Sequence, residues 1–323
     1  MKKLHWGIIG CGYIAGNMAQ ALQEVNGEIY AVCDIDKEKA NAFKQDHQVE
    51  HVYYDLQDLL ADEQVDVVYV ATPHNSHYAI MKQVVTAKKH VLCEKAITVN
   101  DRQLEEIVSL AKENNVIVQE AMTIFHMPLY KKLQEIVRAG TIGKVKMVQV
   151  NFGSCKEYDV TNRFFSKELA GGALLDIGGY ATSFARYFLS SCPSTVITMA
   201  QYFETGVDEQ SGIVMKNADG QMVVMALSMR AKQPKRGVIS GELGYIEVSE
   251  YPRSDKATIT YTSTGEQEVI NCGKTSDALQ YEVIDMQEYI EHNSGQYELQ
   301  LSRDVSSLLS QVRTQWGMVY PFE

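Results

Sequence analysis

Gly7-Ile8-Ile9-Gly10-Cys11-Gly12-Tyr13-Ile14-Ala15-Gly16 joins an apolar, β-prone run to a helical pattern that reaches about Glu24. In such a junction the first glycine allows a tight strand-to-helix turn. The second lets a pyrophosphate approach the backbone, and a small third residue, here Ala15, lets the helix lie close on the strand. The helix N-terminus then offers unpaired N–H groups and the positive end of its dipole to phosphate oxygens. Gly10, Cys11, Gly12, Tyr13 and Ile14 are therefore candidate cofactor-binding residues. The same glycine spacing also occurs in ordinary turns, and context has to separate the two.

That context is a second strand, Glu28–Cys33, ending at Asp34. Asp34 lies 19 residues after Ala15, close to the spacing of about 20 for a carboxylate that binds the adenosine ribose hydroxyls. The alternative is the N-cap of the next helix, a role open to Asp36 as well. An acid at the ribose favours NAD, because it repels the extra phosphate of NADP. Lys37 and Lys39 stand close by and pull the other way.

A chain of 323 residues has the length of about two domains and can bury a substantial core. Its formal net charge of −11 argues against a nucleic-acid partner, which needs a basic face. Met1-Lys2-Lys3 followed by apolar residues resembles the start of a signal peptide, but glycines break that region and a strand with a phosphate loop accounts for it better. No apolar run reaches the roughly 18 residues of a membrane span, so the expectation is a cytoplasmic protein without membrane contact. The cysteines (Cys11, Cys33, Cys93, Cys155, Cys192, Cys272) form no Cys-x-x-Cys pair and read as reduced, structural thiols. His74 and His77 have no third ligand near them, so no metal is expected.

Strand and helix signals alternate through the first 120 residues. After the second strand come a helix from Lys37 to about Asp46, a short strand at His51–Tyr54 and a helix from Asp55. Val65–Val70, a helix over 75–87, the strand His90–Cys93, the helix Asp101–Asn114 and a closing strand Val116–Gln119 follow. This pattern predicts a parallel, doubly wound α/β sheet covered on both faces, with a domain boundary near Glu120. Residues 121–323 have another texture. A helix from Pro128 to Ala139 stops at Gly140, and strands are predicted at Val145–Phe152, Thr195–Phe203, Gly212–Asn217, Met222–Met229, Val238–Ser240, Tyr245–Ser249 and Ala257–Thr262. Helices over Ala173–Leu189, Asp277–His292 and about Ser302–Met318 complete an α+β domain on one large, mainly antiparallel sheet. An open face of such a sheet can pair with a second subunit.

Ligands bind beyond the carboxyl ends of strands in doubly wound sheets. Ala71-Thr72-Pro73 sits at one such end and provides a rigid loop for the nicotinamide side of a dinucleotide. His77 contacts cofactor or substrate there, or is a polar residue of a helix's first turn. Glu94-Lys95 ends the next strand and carries an ammonium to the sheet edge. A lysine ordinarily titrates near 10.4, so acid–base work requires a lowered pKa, which desolvation and a cationic nicotinamide both favour. The alternative is a surface ion pair. In the second domain Asp176 and Tyr180 lie four residues apart, which puts carboxylate and phenol on one helix face. Gly171, Gly172, Gly178 and Gly179 around them imply either close backbone approach to a ligand or tight helix packing.

The phosphate loop, Ala71-Thr72-Pro73, Cys93-Glu94-Lys95, Glu120-Ala121 with Pro128, Gly140–Gly143, and Asn162-Arg163-Phe164-Phe165 through Gly171–Gly178 resemble the glucose–fructose oxidoreductase/inositol dehydrogenase (Gfo/Idh/MocA) family. The likeness runs in order over residues 4–190 and is nearest to the dimeric dihydrodiol dehydrogenase and xylose dehydrogenase branch. It implies a Rossmann domain, then a C-terminal domain whose open sheet forms a homodimer or homotetramer interface. It also implies reversible oxidation of a secondary alcohol on a small-molecule sugar or cyclic polyol. By resemblance Lys95 is the motif lysine and Asp176 the motif acid, while Tyr180 stands where polyol dehydrogenases have histidine and the dihydrodiol branch has tyrosine. The chain departs from the pattern in three places. Glu94-Lys95-Ala96 replaces Glu-Lys-Pro and leaves the peptide geometry after Lys95 open. Met122-Thr123-Ile124-Phe125-His126 replaces a Trp- and Arg-containing stretch, which changes a pocket wall. Asp34 points to NAD where that branch largely uses NADP.

The expected chemistry is hydride transfer between nicotinamide and a carbinol carbon held across the two-domain cleft, with Lys95, Asp176 and Tyr180 as the catalytic set. Either Tyr180 is the immediate base with Lys95 lowering its pKa, or Lys95 is the base with Asp176 positioning substrate. Alternatives are reduction of an imine or conjugated ring on the same fold, and a regulator that binds cofactor without chemistry.

Overall fold

A computed structural model describes Lys3–Glu323. One unit runs through Thr98, takes in Arg102–Ala121 and resumes at Ser276–Gln300; the other comprises Val99–Asp101, Met122–Thr275 and Leu301–Glu323. The first is built from β1 (His5–Ile9), α1 (Tyr13–Glu24), β2 (Glu28–Cys33), α2 (Lys37–His47), β3 (His51–Tyr53), α3 (Leu56–Ala61), β4 (Val67–Val70), α4 (His74–Thr86), β5 (His90–Glu94), α5 (Asp101–Asn114) and β6 (Val118–Ala121). All six strands pair in parallel, in the order β3-β2-β1-β4-β5-β6. The order reverses between β1 and β4, the switch point of a dinucleotide-binding sheet.

The alternation of side chains along each strand builds the two faces. Ile8, Val32, Val67, Tyr69 and Leu92 join one apolar cluster with Ala15, Met18 and Leu22 of α1. Their neighbours Ile9, Cys33, Val68, Val70 and Cys93 join the other, with Met81, Val84 and Val85 of α4 and Leu104 and Ile107 of α5. Both faces are thus apolar, which is why Val67-Val68-Tyr69-Val70 is buried throughout and reads as an unbroken hydrophobic run.

The second unit contains α6 (Thr123–His126), α7 (Pro128–Arg138), β7 (Val145–Gly153), α8 (Gly179–Phe188), β8 (Thr195–Tyr202), β9 (Asp208–Lys216), β10 (Met222–Ser228), β11 (Gln233–Gly241), β12 (Gly244–Ser249), β13 (Lys256–Tyr261) and β14 (Gln267–Asn271). The eight strands form one sheet in the order β14-β13-β12-β11-β7-β10-β9-β8. Pairing is antiparallel except between β7 and β10. The expected α/β architecture, with its large and mainly antiparallel second sheet, is the one observed. Gly140 ends α7 with φ +76°, the stop its sequence announces.

Three local features differ from expectation. β11 starts at Gln233 and β9 at Asp208, through polar residues that carry no apolar period. β14, an edge strand of mostly exposed residues, was not anticipated. The helix expected over Ala173–Leu189 opens with a π-helical turn, Leu174–Gly178, before α8 begins. After β14 the chain enters α9 (Ala278–His292) and α10 (Gln296–Trp316). Leu279, Val283 and Met286 of α9 join the cluster containing Met18 and Leu22 of α1, so this segment belongs to the first unit although sequence order places it in the region after residue 121. Among the described residues no helix is long and apolar enough to cross a membrane.

Gly237 of β11 positions α8. A Cβ there would come within 2.4 Å of the Phe184 ring, so the ring of α8 lies where a side chain of the sheet would stand. Overpacking of this kind costs about 1–3 kcal/mol. Gly237→Ala is expected to lower the unfolding free energy by that amount in a urea titration; an unchanged midpoint would contradict this seating of α8.

Candidate functional site

The phosphate loop is shaped by the strand beside it. Gly10 has φ +90°, and a Cβ on it would sit 2.9 Å from the Ala71 carbonyl oxygen. Only glycine meets both conditions. Its N–H donates to the Cys33 carbonyl at 2.9 Å, and the Ala71 N–H donates to Ile9 at 2.9 Å, so the loops after β1, β2 and β4 are stitched together. Gly12 differs. It is the N-cap residue of α1 without any side-chain cap, and a Cβ there would meet no atom within 4 Å. Protein packing demands glycine at 10 but not at 12. The uncapped helix end with its bare backbone therefore fits a pyrophosphate, whose approach a side chain at 12 would hinder.

Asp34 is locked beside this loop. Its Oδ2 accepts the Cys11 N–H at 2.8 Å and its Oδ1 the Asp36 N–H at 2.9 Å. The capping role falls to Asp36, whose side chain accepts from Glu38 and Lys39. Of the neighbouring lysines, Lys39 lies 3.5 Å from Asp36 and Lys37 over the Tyr54 ring. Burial, with Asp34 and Cys33 adding to it, pushes the Cys11 thiol up to about 12, so no thiolate charge opposes an anion here. Tyr13 and Ile35, 87% and 91% exposed, flank the loop. Ile14 is half-buried and packs against the α1 side of the core.

Lys95 follows the carboxyl end of β5 and is partly exposed. Its loop is held by groups on three sides. The Tyr69 hydroxyl donates to Glu94 Oε1, and Glu94 Oε2 accepts the Lys95 N–H at 3.3 Å. His74 Nε2 lies 3.0 Å from the Lys95 carbonyl. Glu120 accepts the Ile97 N–H at 3.0 Å. The Lys95–Ala96 peptide bond is cis. His77, which the sequence leaves between ligand contact and a place in the first turn of a helix, is completely buried. Its Nδ1 faces the Ala96 carbonyl at 2.9 Å and its Nε2 the Thr72 carbonyl at 2.8 Å, so the ring ties two loops together and has no nitrogen left for a ligand. Burial pulls its pKa below the ordinary value. Glu94 is likewise buried, with its carboxylate turned onto Tyr69 and its own loop. Pro73 caps α4, and the Thr72 hydroxyl accepts from Ser76 at 2.8 Å.

Tyr69, His74 and Glu120 carry no signature in the chain that marks them as supports of Lys95. Glu120 alone lies in a motif of the family resemblance.

In the second unit Asp176 sits within the π-helical turn and is nearly buried. Arg163 Nη2 lies 3.7 Å from its Oδ1 and stacks on the Phe164 ring. Tyr180, in the first turn of α8, is partly exposed, with its ring 6.3 Å from that of Phe152. Packing explains most of the local glycines. A Cβ would meet the Arg163 and Phe164 carbonyls at 2.7 Å from Gly171, Asp208 Oδ1 at 2.2 Å from Gly172, and Leu227 at 2.9 Å from Gly178. At Gly179 the nearest atom is Met122 Cε, 3.9 Å away, so packing does not require glycine there.

Comparison with known proteins agrees with this geometry. The model of an oxidoreductase family with an NAD-binding Rossmann fold matches residues 4–122, and that of the GFO/IDH/MocA C-terminal domain matches residues 130–247. A trans-1,2-dihydrobenzene-1,2-diol dehydrogenase of Xenopus tropicalis is 32% identical over 247 residues, 75% of this chain and 74% of that one. A scyllo-inositol 2-dehydrogenase (NADP(+)) of Bacillus subtilis is 28% identical over 328 residues, 98% of each chain. Levoglucosan dehydrogenase, solved with NADH and levoglucosan, shares the fold with a TM-score of 0.89 at 17% identity, over 98% of this chain and 99% of that one. With both domains matched in order, the chain belongs to the GFO/IDH/MocA family of oxidoreductases.

Proposed function

We propose that the protein is an NAD(P)-dependent dehydrogenase or reductase of a secondary alcohol or carbonyl carried by a sugar, a cyclic polyol or a trans-dihydrodiol. One observation carries this: Gly10–Tyr13, Asp34, Ala71–Pro73 and Lys95 all follow the carboxyl ends of β1, β2, β4 and β5, around the point where the strand order reverses. A nicotinamide bound at such an edge accepts or supplies hydride. Relatives that act on a dihydrodiol and on an inositol support the substrate class. A screen of trans-dihydrodiols, inositols and sugars with each cofactor, followed by nicotinamide absorbance, tests it; reduction confined to imines or conjugated rings would overturn it.

In this proposal the backbone N–H groups at Gly12–Ile14 hold the pyrophosphate and Asp34 the ribose. Lys95, Asp176 and Tyr180 carry the proton chemistry, with Lys95 or Tyr180 exchanging the hydroxyl proton and Asp176 orienting the substrate. Loss of the acid–base group costs about 10²–10⁴ in turnover. Lys95→Ala and Tyr180→Phe are each expected to reduce kcat, the true acid–base residue by that factor, with cofactor binding retained. Near-normal kcat in both would contradict the assignment.

Asp34 favours NAD over NADP, because a carboxylate fixed by two backbone N–H groups repels a neighbouring phosphate. Asp34→Arg is expected to shift the kcat/KM ratio about tenfold or more towards NADP, the equivalent of about 1.4 kcal/mol. An unchanged ratio removes the proposed role. Because Asp34 also holds Cys11, both cofactors should bind more weakly in that variant.

We also assign the open face of the eight-stranded sheet to a homodimer or homotetramer interface in a cytoplasmic protein. Ile197, Val214 and Val224 lie in one cross-strand row on β8, β9 and β10, all exposed and joined by Met199 at 77%. An apolar row of this kind is a usual mark of an interaction surface. Light scattering is expected to give a dimer or tetramer for the wild type and a monomer for Val214→Asp/Val224→Asp. A monomeric wild type would refute it.

A further inference from the structure

Asp208 opens β9 in the second unit and is completely buried. Its Oδ2 accepts the N–H of Leu174 at 2.7 Å, the first residue of the π-helical turn that carries Asp176 and leads into the turn of α8 carrying Tyr180. A helix start leaves its first N–H groups without intrahelical partners. Here a carboxylate 34 residues further along the chain supplies one, where negative charge is also favoured by the helix dipole. The fit is tight. A Cβ at Gly172, whose φ is +110°, would lie 2.2 Å from Asp208 Oδ1, so backbone and carboxylate press directly on each other. The chain just before the turn is fixed independently, since the Tyr320 hydroxyl donates to the Gly171 carbonyl at 2.8 Å.

The groups around Asp208 come from several elements. Tyr202 of β8 and Tyr320 both feel its charge. Arg313 of α10 attracts it, although that guanidinium is already paired with Glu323 at 2.6–2.7 Å and bonded to the Val99 carbonyl at 2.7 Å. Among the described residues Asp208 therefore forms no ion pair of its own.

We propose that Asp208 is a positioning residue, whose buried side-chain oxygen holds the start of the Leu174–Gly178 turn so that Asp176 and Tyr180 are placed for proton transfer. The proposal rests on the roles given above to Asp176 and Tyr180. Burial pushes the Asp208 carboxyl from 3.8 up to about 7, against the lowering pull of the Leu174 N–H and Arg313. A protonated carboxyl still offers an oxygen to the Leu174 N–H, so the bond does not depend on this titration. Since the folded form holds the proton more tightly than the unfolded chain, the contribution of Asp208 to stability is greatest below 3.8 and is lost as pH rises to about 7.

The test is kcat and cofactor KM for the protein, Asp208→Asn and Asp208→Ala, using the diol, inositol or sugar turned over fastest. Asp208→Asn, whose amide oxygen still accepts from Leu174, should keep kcat within a few-fold of the wild type. Asp208→Ala should lose at least tenfold in kcat with cofactor KM unchanged. A kcat in Asp208→Asn as low as in Asp208→Ala, or an unchanged kcat in Asp208→Ala, overturns the proposal. Amide exchange over Leu174–Tyr180 decides without turnover: protection should drop in Asp208→Ala and be kept in Asp208→Asn. Unchanged protection in Asp208→Ala also overturns it. If Asp176→Asn and Tyr180→Phe leave kcat intact, their catalytic roles fail, and exchange alone still shows whether Asp208 holds the turn.

Discussion

At Gly10 two backbone segments meet with room for a hydrogen atom and nothing more. That approach aligns the loop after β1 with the loop after β4, and the rest of the first unit's functional edge is referenced to it. The Cys33 carbonyl takes the Gly10 N–H, which brings in the end of β2 and with it Asp34. Asp34 in turn takes the Cys11 N–H, so the carboxylate and the phosphate loop hold each other in place. The β4 loop continues into α4, where His77 spans from Thr72 to Ala96 and sets the position of the Lys95 loop. A chain of hydrogen bonds of 2.8–2.9 Å therefore runs from the glycine turn to the loop that carries the lysine. Such supports fix a functional side chain more firmly than its own contacts can.

The second unit uses the same device with different parts. Instead of a glycine turn between parallel strands, it has a π-helical turn whose start is held by a buried carboxylate, with a tyrosine hydroxyl on the residue three before it. π-helical turns are uncommon and concentrate at functional sites. Three of the four glycines around Asp176 are demanded by neighbouring atoms. The conformational cost of these residues is thus met by close packing of the segment itself, and Gly179 alone is left with a size that the protein does not explain.

The parallel sheet was legible because two signals coincide in it. Apolar runs of strand length alternate with amphipathic helices, and glycines punctuate the first crossover. Asp34 was legible from spacing. Whether it capped α2 was not, because Asp34 and Asp36 are chemically alike and only the coordinates show which one faces the Glu38 and Lys39 N–H groups. The pattern of α9 gives its apolar face but not what that face covers, so its packing on α1 lay beyond sequence reasoning. β14 was missed because Gln267–Asn271 is an exposed edge with no buried face to impose alternation. The burial of His77 was not legible for the opposite reason: a polar residue at a helix start is ordinarily solvated, and here two loops enclose it. Asp208 is the extreme case. In the chain it is one acid among many at the start of a strand, and its link to Leu174 exists only in three dimensions.

Family membership and the shape of the cofactor edge lead to one chemical claim, that a hydrogen atom leaves a carbinol carbon as hydride. The most direct measurement supplies a trans-diol or inositol deuterated at that carbon, together with oxidised cofactor, and reads the recovered cofactor by nuclear magnetic resonance. Deuterium on C4 of the nicotinamide, on one face only, is the result expected. Tight cofactor binding with all of the label left on the alcohol, across the whole substrate panel, would mean that the fold has kept its ligand and lost its chemistry.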